Sequence, residues 1–439
     1  MQLKSSLRQL WVESRANPTF TSLYVGGVAF AVGFTMVFAI IYYVHLAPIY
    51  PEYNRATTQY ISNITIQNEK TNNMGMGSLG LPFFHQFIKD SENIEHVTLT
   101  NDFTSLIQPD DNSGDFKVMS RTADPEFFNI YPYEFIAGRP FNEAETDAAM
   151  KVAVIDSSLA DRLYGSAEQA INKEISVTYK KYKVIGVVRD SNPIAFMSYA
   201  NVFVPYTVFT SPGDNLLNGE MFNYLGSYSI PLKFKDKAQA ERFRAELTDK
   251  ISRTNAADTA GWVIDLRSAP VSHSLRVLSH SQNGDDLNLW MLIRPLLLIL
   301  AVLLIIPAIN ISGMISGQMD RRLAEIGIRR SFGATRNQLT GQVMFENFVL
   351  TLIGGFIGLI IAWVMVLTCR TLLLQLLIPS WASWECKDAS VSVSGEMIFS
   401  PVIFLATIII CLILNMLSAY IPVRLSLRRP IISSINSKR

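Results

Sequence analysis

Four long apolar stretches, residues 23–46, 289–315, 343–367 and 402–421, constrain this chain more than anything else in it. A mostly apolar run of about 18 to 25 residues is what a hydrocarbon core of roughly 30 Å requires. Inside lipid the backbone must satisfy its own hydrogen bonds, so each stretch is predicted to be a transmembrane helix. The first could be mistaken for a secretory signal. Its apolar run is about 24 residues, however, and Ala47-Pro48-Ile49-Tyr50-Pro51 follows it with no small-x-small cleavage pattern. It reads as a retained span. Between the first and second stretches, residues 47–288 are of mixed polarity and numerous enough to bury a core of their own.

The short flanks of the spans carry the orientation signal, because Lys and Arg resist translocation while long domains cross regardless of charge. The N-terminal tail has Lys4, Arg8 and Arg15 against Glu13. The connection between spans two and three has Arg321, Arg322, Arg329, Arg330 and Arg336 against Asp320 and Glu325. The C-terminal tail has Arg424, Arg428, Arg429, Lys438 and Arg439. All three read cytoplasmic. The connection between spans three and four carries Glu385, Asp388 and Glu396 against Lys387, and residues 47–288 hold 22 basic and 30 acidic residues, a net of −8; both read exported. The overall charge of +1 conceals this sorting, and nothing in it suggests nucleic-acid binding.

The expected architecture is therefore an α-helical membrane protein of four transmembrane helices with a large α+β exported domain. A cytoplasmic amphipathic helix is expected over 1–22, built on Leu3, Leu7, Leu10 and Trp11. The spans and connections then run 23–46, 47–288 (exported), 289–316, 317–340 (cytoplasmic), 341–378, 379–399 (exported loop), 400–421 and 422–439 (cytoplasmic tail). The exported domain is expected to have two lobes: a first from 47–118 and 207–288 containing βαβ units, and an inserted strand-rich subdomain over 119–206. Residues 60–66, 81–89 and 95–100 read as strand, helix and strand, and 228–234, 237–252 and 261–266 repeat that order. In the insert, 152–155 reads as a strand, 157–164 as a helix stopped by Gly165, and 175–188 as a hairpin turning at Lys180-Lys181.

Several function classes lose support. The spans carry no ionisable group at mid-depth, since Arg294, Glu346 and Arg370 lie near a membrane face, which argues against an ion-coupled transporter. Gly75-x-Gly77-x-x-Gly80 matches a nucleotide-binding pattern but lies on the exported side, and reads as a flexible loop. His273 and His280 fit one helical face, yet no HExxH accompanies them, and the three cysteines, Cys369, Cys386 and Cys411, form no CxxC pair; no metal or cofactor is expected. Gly313 with Gly317, and Gly354 with Gly358, are GxxxG pairs that let helices approach closely, within the chain or between copies.

The most informative stretch is 319–336. Met319, Leu323 and Ile326 fall on one helical stripe and Arg322, Glu325 and Arg329 on another, with Glu325 four residues ahead of Arg329 in the favourable order and Gly333 as a stop. Physics alone leaves two readings open, an anchor at the lipid headgroups and a docking helix. Arg-x-x-Glu-Ile-Gly-Ile-Arg-Arg-x-x-Gly-Ala-Thr-Arg at 322–336 closely resembles the signature of FtsX-like permeases of the MacB type. Phe345-Glu346, Gly354-Gly355-x-x-Gly358, Ile421-Pro422-x-Arg424 and Arg429-Pro430-Ile431 extend the resemblance. On the exported side it continues through Asp124-Pro125-Glu126-Phe127-Phe128, Gly138-Arg139-Pro140-Phe141, Val152-Ala153-Val154-Ile155 and Tyr182-x-Val184-Ile185-Gly186-Val187-Val188.

The resemblance implies a dimeric, multi-pass ABC permease of the bacterial inner membrane, with both termini cytoplasmic, whose exported domain moves when a cytoplasmic ATPase pair closes on ATP. Arg321, Arg322, Glu325, Ile326, Gly327, Arg329, Arg330, Gly333 and Arg336 become the expected ATPase-coupling residues. The implied partners are an ABC ATPase subunit, a second permease copy or paralogue, a periplasmic adaptor with an outer-membrane channel, and membrane lipid. MacB carries its ATPase on the same chain, whereas no Gly-x-x-x-x-Gly-Lys-Ser/Thr occurs in these 439 residues, so the motor is expected on another chain. Phe332 stands where the family more often has an aliphatic residue. An FtsX-like regulator of a periplasmic partner is the competing expectation, and a membrane-anchored enzyme a remote third.

Overall fold

A computed structural model describes residues 11–12, 14–109, 114–209, 221–278, 289–368 and 401–427. The chain divides into two compact units. One is helical and drawn from Met1–Tyr43, Ile293–Leu373 and Ser394–Arg439; the other is mixed and drawn from Val44–Leu292 and Leu374–Val393. The expected contributions of Lys4, Arg8, His280, Cys369, Arg370, Cys386 and Arg429, of the 379–399 loop and of the terminal tail lie outside the described residues.

The chain enters through helix α1, Pro18–Leu46. Among the described residues the mixed unit then holds fifteen strands in three sheets. They are β1 Thr58–Ile61, β2 Ile64–Asn68, β3 Met74–Leu79, β4 His96–Val97, β5 Asn101–Gln108, β6 Phe116–Ala123, β7 Phe135–Gly138, β8 Val152–Asp156, β9 Glu174–Val177, β10 Lys180–Val188, β11 Val202–Pro205, β12 Leu225–Gly226, β13 Ile230–Lys233, β14 Trp262–Asp265 and β15 Val271–Ser272. Its main helices are α2 Pro125–Ile130, α3 Ser157–Tyr164, α4 Lys237–Ala257 and α5 His273–Leu278.

Two four-stranded sheets, β15-β1-β13-β4 and β12-β3-β2-β14, share one core with α4 and the helical turn over 81–88. The expected first βαβ unit is present in altered form. Ser62-Asn63 interrupts the anticipated 60–66 strand, sending β1 to one sheet and β2 to the other. Both β1 and β4 neighbour β13 antiparallel, so they run parallel to each other. In the second unit β13 and β14 likewise go to different sheets.

The third sheet has the order β7-β10-β8-β11-β6-β5-β9, and β9 pairs with both β5 and β10, closing the ladder on itself. One face buries Ile107, Ile155, Val184, Val187 and Val204 against α3. The other carries an aromatic cluster in which Phe127 and Tyr131 lie 4.9 Å apart in a tilted pair and Tyr133 and Phe203 5.1 Å apart edge to face, separations at which rings attract. The cut expected at 118/119 falls inside β6, whose ladder with β5 runs from Asn101 to Ile107.

Local chemistry sets the helix ends. Asp124, Asp156 and Asp236 cap α2, α3 and α4 by accepting from the third residue's N–H, and Pro125 opens α2. Gly165 ends α3 at φ +85, as its place in the sequence predicts. The hairpin corrects its expectation: Lys180 already pairs with Val177, so the turn is Thr178-Tyr179, at φ +48 and +63. A two-residue loop needs positive φ at both positions to match strand twist. Gly75 and Gly77 also depart from the expected loop, since they lie in β3, hydrogen-bonded to β2.

The helical unit continues with α6 Leu289–Arg321, α7 Leu323–Ser331, α8 Arg336–Thr368 and α9 Pro401–Leu427. With α1 these include, among the described residues, four helices long and apolar enough to cross a membrane. They outrun the hydropathy windows, because α6 stays helical to Arg321 and α8 begins at Arg336. The two GxxxG pairs behave differently. A Cβ on Gly354 would meet Val28 at 2.8 Å, and one on Gly358 the Ala29 carbonyl at 2.5 Å, so this pair seats α8 on α1; a Cβ on Gly313 or Gly317 would meet nothing within 4 Å among the described residues. Tyr24 and Thr351 hydroxyls join the same seam at 3.0 Å.

Candidate functional site

The expected coupling residues gather around α7. Glu325 lies in its first turn and Arg329 and Arg330 in its last, so each charge favours its end of the helix dipole. Arg329 Nη2 reaches Glu325 Oε1 at 2.6 Å, one turn apart. Gly333, at φ +92, follows the last turn and lets the chain reverse into α8. Thr335 and Gln338 cap α8 reciprocally, Thr335 N–H donating to Gln338 Oε1 and Gln338 N–H to Thr335 Oγ1.

The outer stripe differs from the expected one. Arg322 turns inward, donating from Nη1 to Glu346 Oε2 at 2.8 Å, with the two side chains only 15% and 6% exposed. Gln342 donates to the other Glu346 oxygen at 3.2 Å and accepts from Arg329 Nη1 at 3.0 Å. Arg330 Nη1 reaches the Leu427 carbonyl of α9 at 3.4 Å. Ile326, Gly327 and Met319 are buried. Glu346 thus ties the entry of α7 to α8, Arg329 ties its last turn to the same helix, and Arg330 ties it to α9.

What α7 presents outward is Glu325, Ile328 at 53% exposed and Phe332 at 87%, spaced three and four residues apart and hence on one face, with Arg321 and Arg336 exposed at either end. The helical period of 319–336 contained Ile328 and Phe332, but charge patterning drew attention to the arginines instead. Trp11 is also exposed, with the Arg15 guanidinium 4.9 Å above its ring, beside the amphipathic segment expected at the N-terminus.

A second buried constellation occupies the mixed unit. Glu52 Oε2 accepts from Arg55 Nε at 2.8 Å, while its Oε1 accepts from Ser198 N–H and Oγ, each at 3.0 Å. Arg55 Nη1 donates to the Val44 and Ala47 carbonyls at 2.7 and 2.6 Å, at the end of α1. His273 contacts the His45 carbonyl through Nε2 at 3.3 Å, which makes Nε2 the protonated nitrogen, so Nδ1 accepts from Tyr60, itself the acceptor of Tyr131. Burial alone would push the Glu52 carboxyl up, but Arg55, His273 and the hydrogen bonds outweigh it and hold the pKa below the usual range. Burial drives the His273 pKa down to about 4 against the pull of Glu52.

Serine, histidine and glutamate meet here without forming a nucleophilic triad. Ser198 donates to the carboxylate, the imidazole is occupied elsewhere, and the Glu52 and His273 side chains are 1% and 3% exposed. Among the described residues no group of His, Cys, Asp and Glu is placed to hold a metal.

Comparison with known proteins agrees with this division. The MacB-like periplasmic core domain matches residues 21–250, and the FtsX-like permease C-terminal domain matches residues 297–431. The macrolide export ATP-binding/permease protein MacB of Neisseria meningitidis is 26% identical over 234 residues, 53% of this chain and 33% of its own length. That of Burkholderia cenocepacia is 26% identical over 241 residues, 54% of this chain and 32% of its own. The matched region is thus about a third of the length of these relatives. Among solved structures, the periplasmic region of MacB from Actinobacillus actinomycetemcomitans is 18% identical at a TM-score of 0.32, covering 47% of this chain and 89% of that one. The extracellular domain of the noncanonic ABC-type transporter YknZ from Gram-positive bacteria is 11% identical at 0.34, covering 46% and 99%. With one domain matched over more than half its residues and the other over most of the remainder, the chain belongs to the family of MacB-like, FtsX-like ABC transporter permeases.

Proposed function

We propose that this chain is the membrane subunit of an inner-membrane transporter, that it takes force from a separate ABC ATPase pair, and that it passes the force to its exported domain to export or extract substrate from the periplasmic side. The arginine-rich flanks support an orientation with α7 and both termini in the cytoplasm. The observation that carries the reading is the outward face of α7: an exposed Ile328–Phe332 pair beside Glu325, on a helix braced from behind by Arg322–Glu346 and Arg329–Gln342. Apolar side chains ringed by charge suit a protein partner's groove, and a braced helix transmits displacement instead of absorbing it.

In this reading Arg321, Glu325, Ile328, Phe332 and Arg336 meet the ATPase, whereas Arg322, Ile326, Gly327, Arg329, Arg330 and Gly333 hold α7 in place for them. Gly354 and Gly358 pack helices within the chain, and Gly313 and Gly317 are offered to a second permease copy. The inserted subdomain of the exported unit begins at β5 and ends after β11. The named relatives export macrolides, and the same outward direction is proposed here; an adaptor and outer-membrane channel would complete the path.

The test is co-purification of the ATPase with Ile328→Asp/Phe332→Asp, set against the exchange variant Glu325→Arg/Arg329→Glu. The first is expected to lose the ATPase by about tenfold or more, as removal of a central apolar anchor does. The second keeps the helical ion pair but reverses its order, and is expected to weaken ATPase retention less. Hydrogen exchange of residues 44–278 should be unchanged in both. Undiminished ATPase retention by the aspartate pair would overturn the proposal.

A further inference from the structure

Helix α1 has 29 residues and is about 43 Å long at 1.5 Å per residue, the span of a bilayer with its headgroup layers and not of the hydrocarbon core alone. Its Leu46 end therefore stands at the level of the headgroups. The chain stays near that level for its next residues. Arg55 Nη1 returns to the Val44 and Ala47 carbonyls at 2.7 and 2.6 Å, so residues 48–54 form a loop closed at the helix end. Tyr53 stands out from this loop, 49% exposed, its ring 6.2 Å from that of Tyr50.

Tyr50 fastens the loop to the third sheet. Its hydroxyl donates to the Arg189 carbonyl and accepts from the Glu134 N–H, each at 3.1 Å, and the Arg189 guanidinium lies 5.1 Å from its ring centre. Glu134 precedes β7 and Arg189 follows β10, so this end of the sheet is tied to the loop that closes on α1. Arg189 Nη1 meets Glu134 Oε2 at 3.3 Å, with the side chains 49% and 64% exposed. A pair so open to water contributes little to stability. A zwitterionic phospholipid headgroup complements it, with a phosphate for the guanidinium and an ammonium for the carboxylate. Beside it, Tyr53 offers an amphipathic ring of the kind that settles at a membrane–water boundary. The other end of β10 provides a contrast. Tyr179, in the hairpin turn, is 70% exposed, but the nine residues of β10 hold it about 30 Å from Arg189 at 3.3 Å per residue.

We propose that Tyr53, Arg189 and Glu134 form a footing on the phospholipid headgroups at the Leu46 end of α1, with Arg189 on phosphate, Glu134 on the headgroup amine and the Tyr53 ring at the boundary. The partner is a lipid surface because the patch continues directly from a membrane helix and carries the two charges that a zwitterionic headgroup answers. The contact holds the β7 and β10 end of the third sheet at the bilayer and does not depend on any ATPase.

The full chain carrying Tyr53→p-benzoylphenylalanine, or Tyr179→p-benzoylphenylalanine, is irradiated in nanodiscs of phosphatidylethanolamine and phosphatidylglycerol, and the peptide holding the photoprobe is weighed for a phospholipid adduct. An adduct is expected at the Tyr53 position and none at the Tyr179 position, although the latter is the more exposed. Arg189→Glu, added to the first chain, sets a second carboxylate against the phosphate layer and should lower the adduct by about fivefold or more, with backbone exchange in α4 as in the parent. The comparison of the two photoprobe positions needs no such variant, and decides the matter if Arg189→Glu fails to fold. No lipid adduct at the Tyr53 position, equal adducts at both positions, a protein adduct in place of the lipid one, or an undiminished adduct in a folded Arg189→Glu chain would each overturn the proposal.

Discussion

Glu52 and Glu346 each accept from an arginine at 2.8 Å, one in the mixed unit and one in the helical unit, yet their surroundings differ. Around Glu52 both carboxylate oxygens, and Arg55 Nε and Nη1, end on protein atoms, and the pair is 1% and 3% exposed. Around Glu346 the pair is 6% and 15% exposed and leads through Gln342 and Arg329 to an outward face bearing Phe332. A sealed ion pair fixes geometry, because breaking it strands a charge; one near the surface braces an element and still lets it be pushed. The difference teaches that the same chemistry serves as a joint in one unit and as a strut in the other.

The largest effect that bears on this contrast is expected for Glu52→Ala. It leaves the Arg55 guanidinium buried and unpaired, and should cost about 3–5 kcal/mol of stability in the mixed unit, read as accelerated proteolysis and a lowered Tm. A Tm within error of the parent would break the comparison. Glu346→Ala is expected to cost less, about 1–3 kcal/mol, because Arg322 is near enough to the surface to reach water. Its main consequence should be loss of ATPase retention without change in the exported unit.

The smallest effect sharpens the sealed half of the contrast. The unfolded His273 imidazole titrates near the ordinary 6.5 and the folded one near 4, so acid protonates the unfolded chain first. The stability held above about pH 6.5 is lost as pH falls toward 4, by about 1 kcal/mol between pH 7.5 and 5.5. Asp124 and Asp156, raised to about 7 chiefly by burial, tilt the other way, being protonated in the fold and losing stability as pH rises. The measurement is therefore the difference between the parent and His273→Gln across that window. The variant should lack the histidine limb, and parallel curves would show that His273 does not titrate in this manner.

The features of local origin were legible in the sequence. Four apolar runs gave four helices, Ser157 to Tyr164 with Gly165 behind it gave α3, and the apolar period after Asp236 gave α4. The last turns of α6 and the first of α8 were not legible, because hydropathy reports immersion and helical hydrogen bonding persists beyond it, to Arg321 in the one and from Arg336 in the other. Nor was the closed sheet: β5, Asn101–Gln108, has little apolar alternation, and its pairing with β6 and β9 is a matter of partners far along the chain. Around α7 the composition was readable but the facing was not. Nothing local marks that Arg322 finds Glu346, twenty-four residues on, and so leaves Phe332 outward. The cluster of Glu52, Arg55, Ser198 and His273 is the extreme case, assembled from three separated segments.

The Arg55 guanidinium has one more consequence, for the lipid. The final carbonyls of a membrane helix ordinarily rely on headgroup water, and a thick bilayer that swallows them leaves them without a partner. Here Val44 and Ala47 are answered by a cation carried on the protein itself. The far end of α1 should therefore keep its last turn wound in membranes of different thickness.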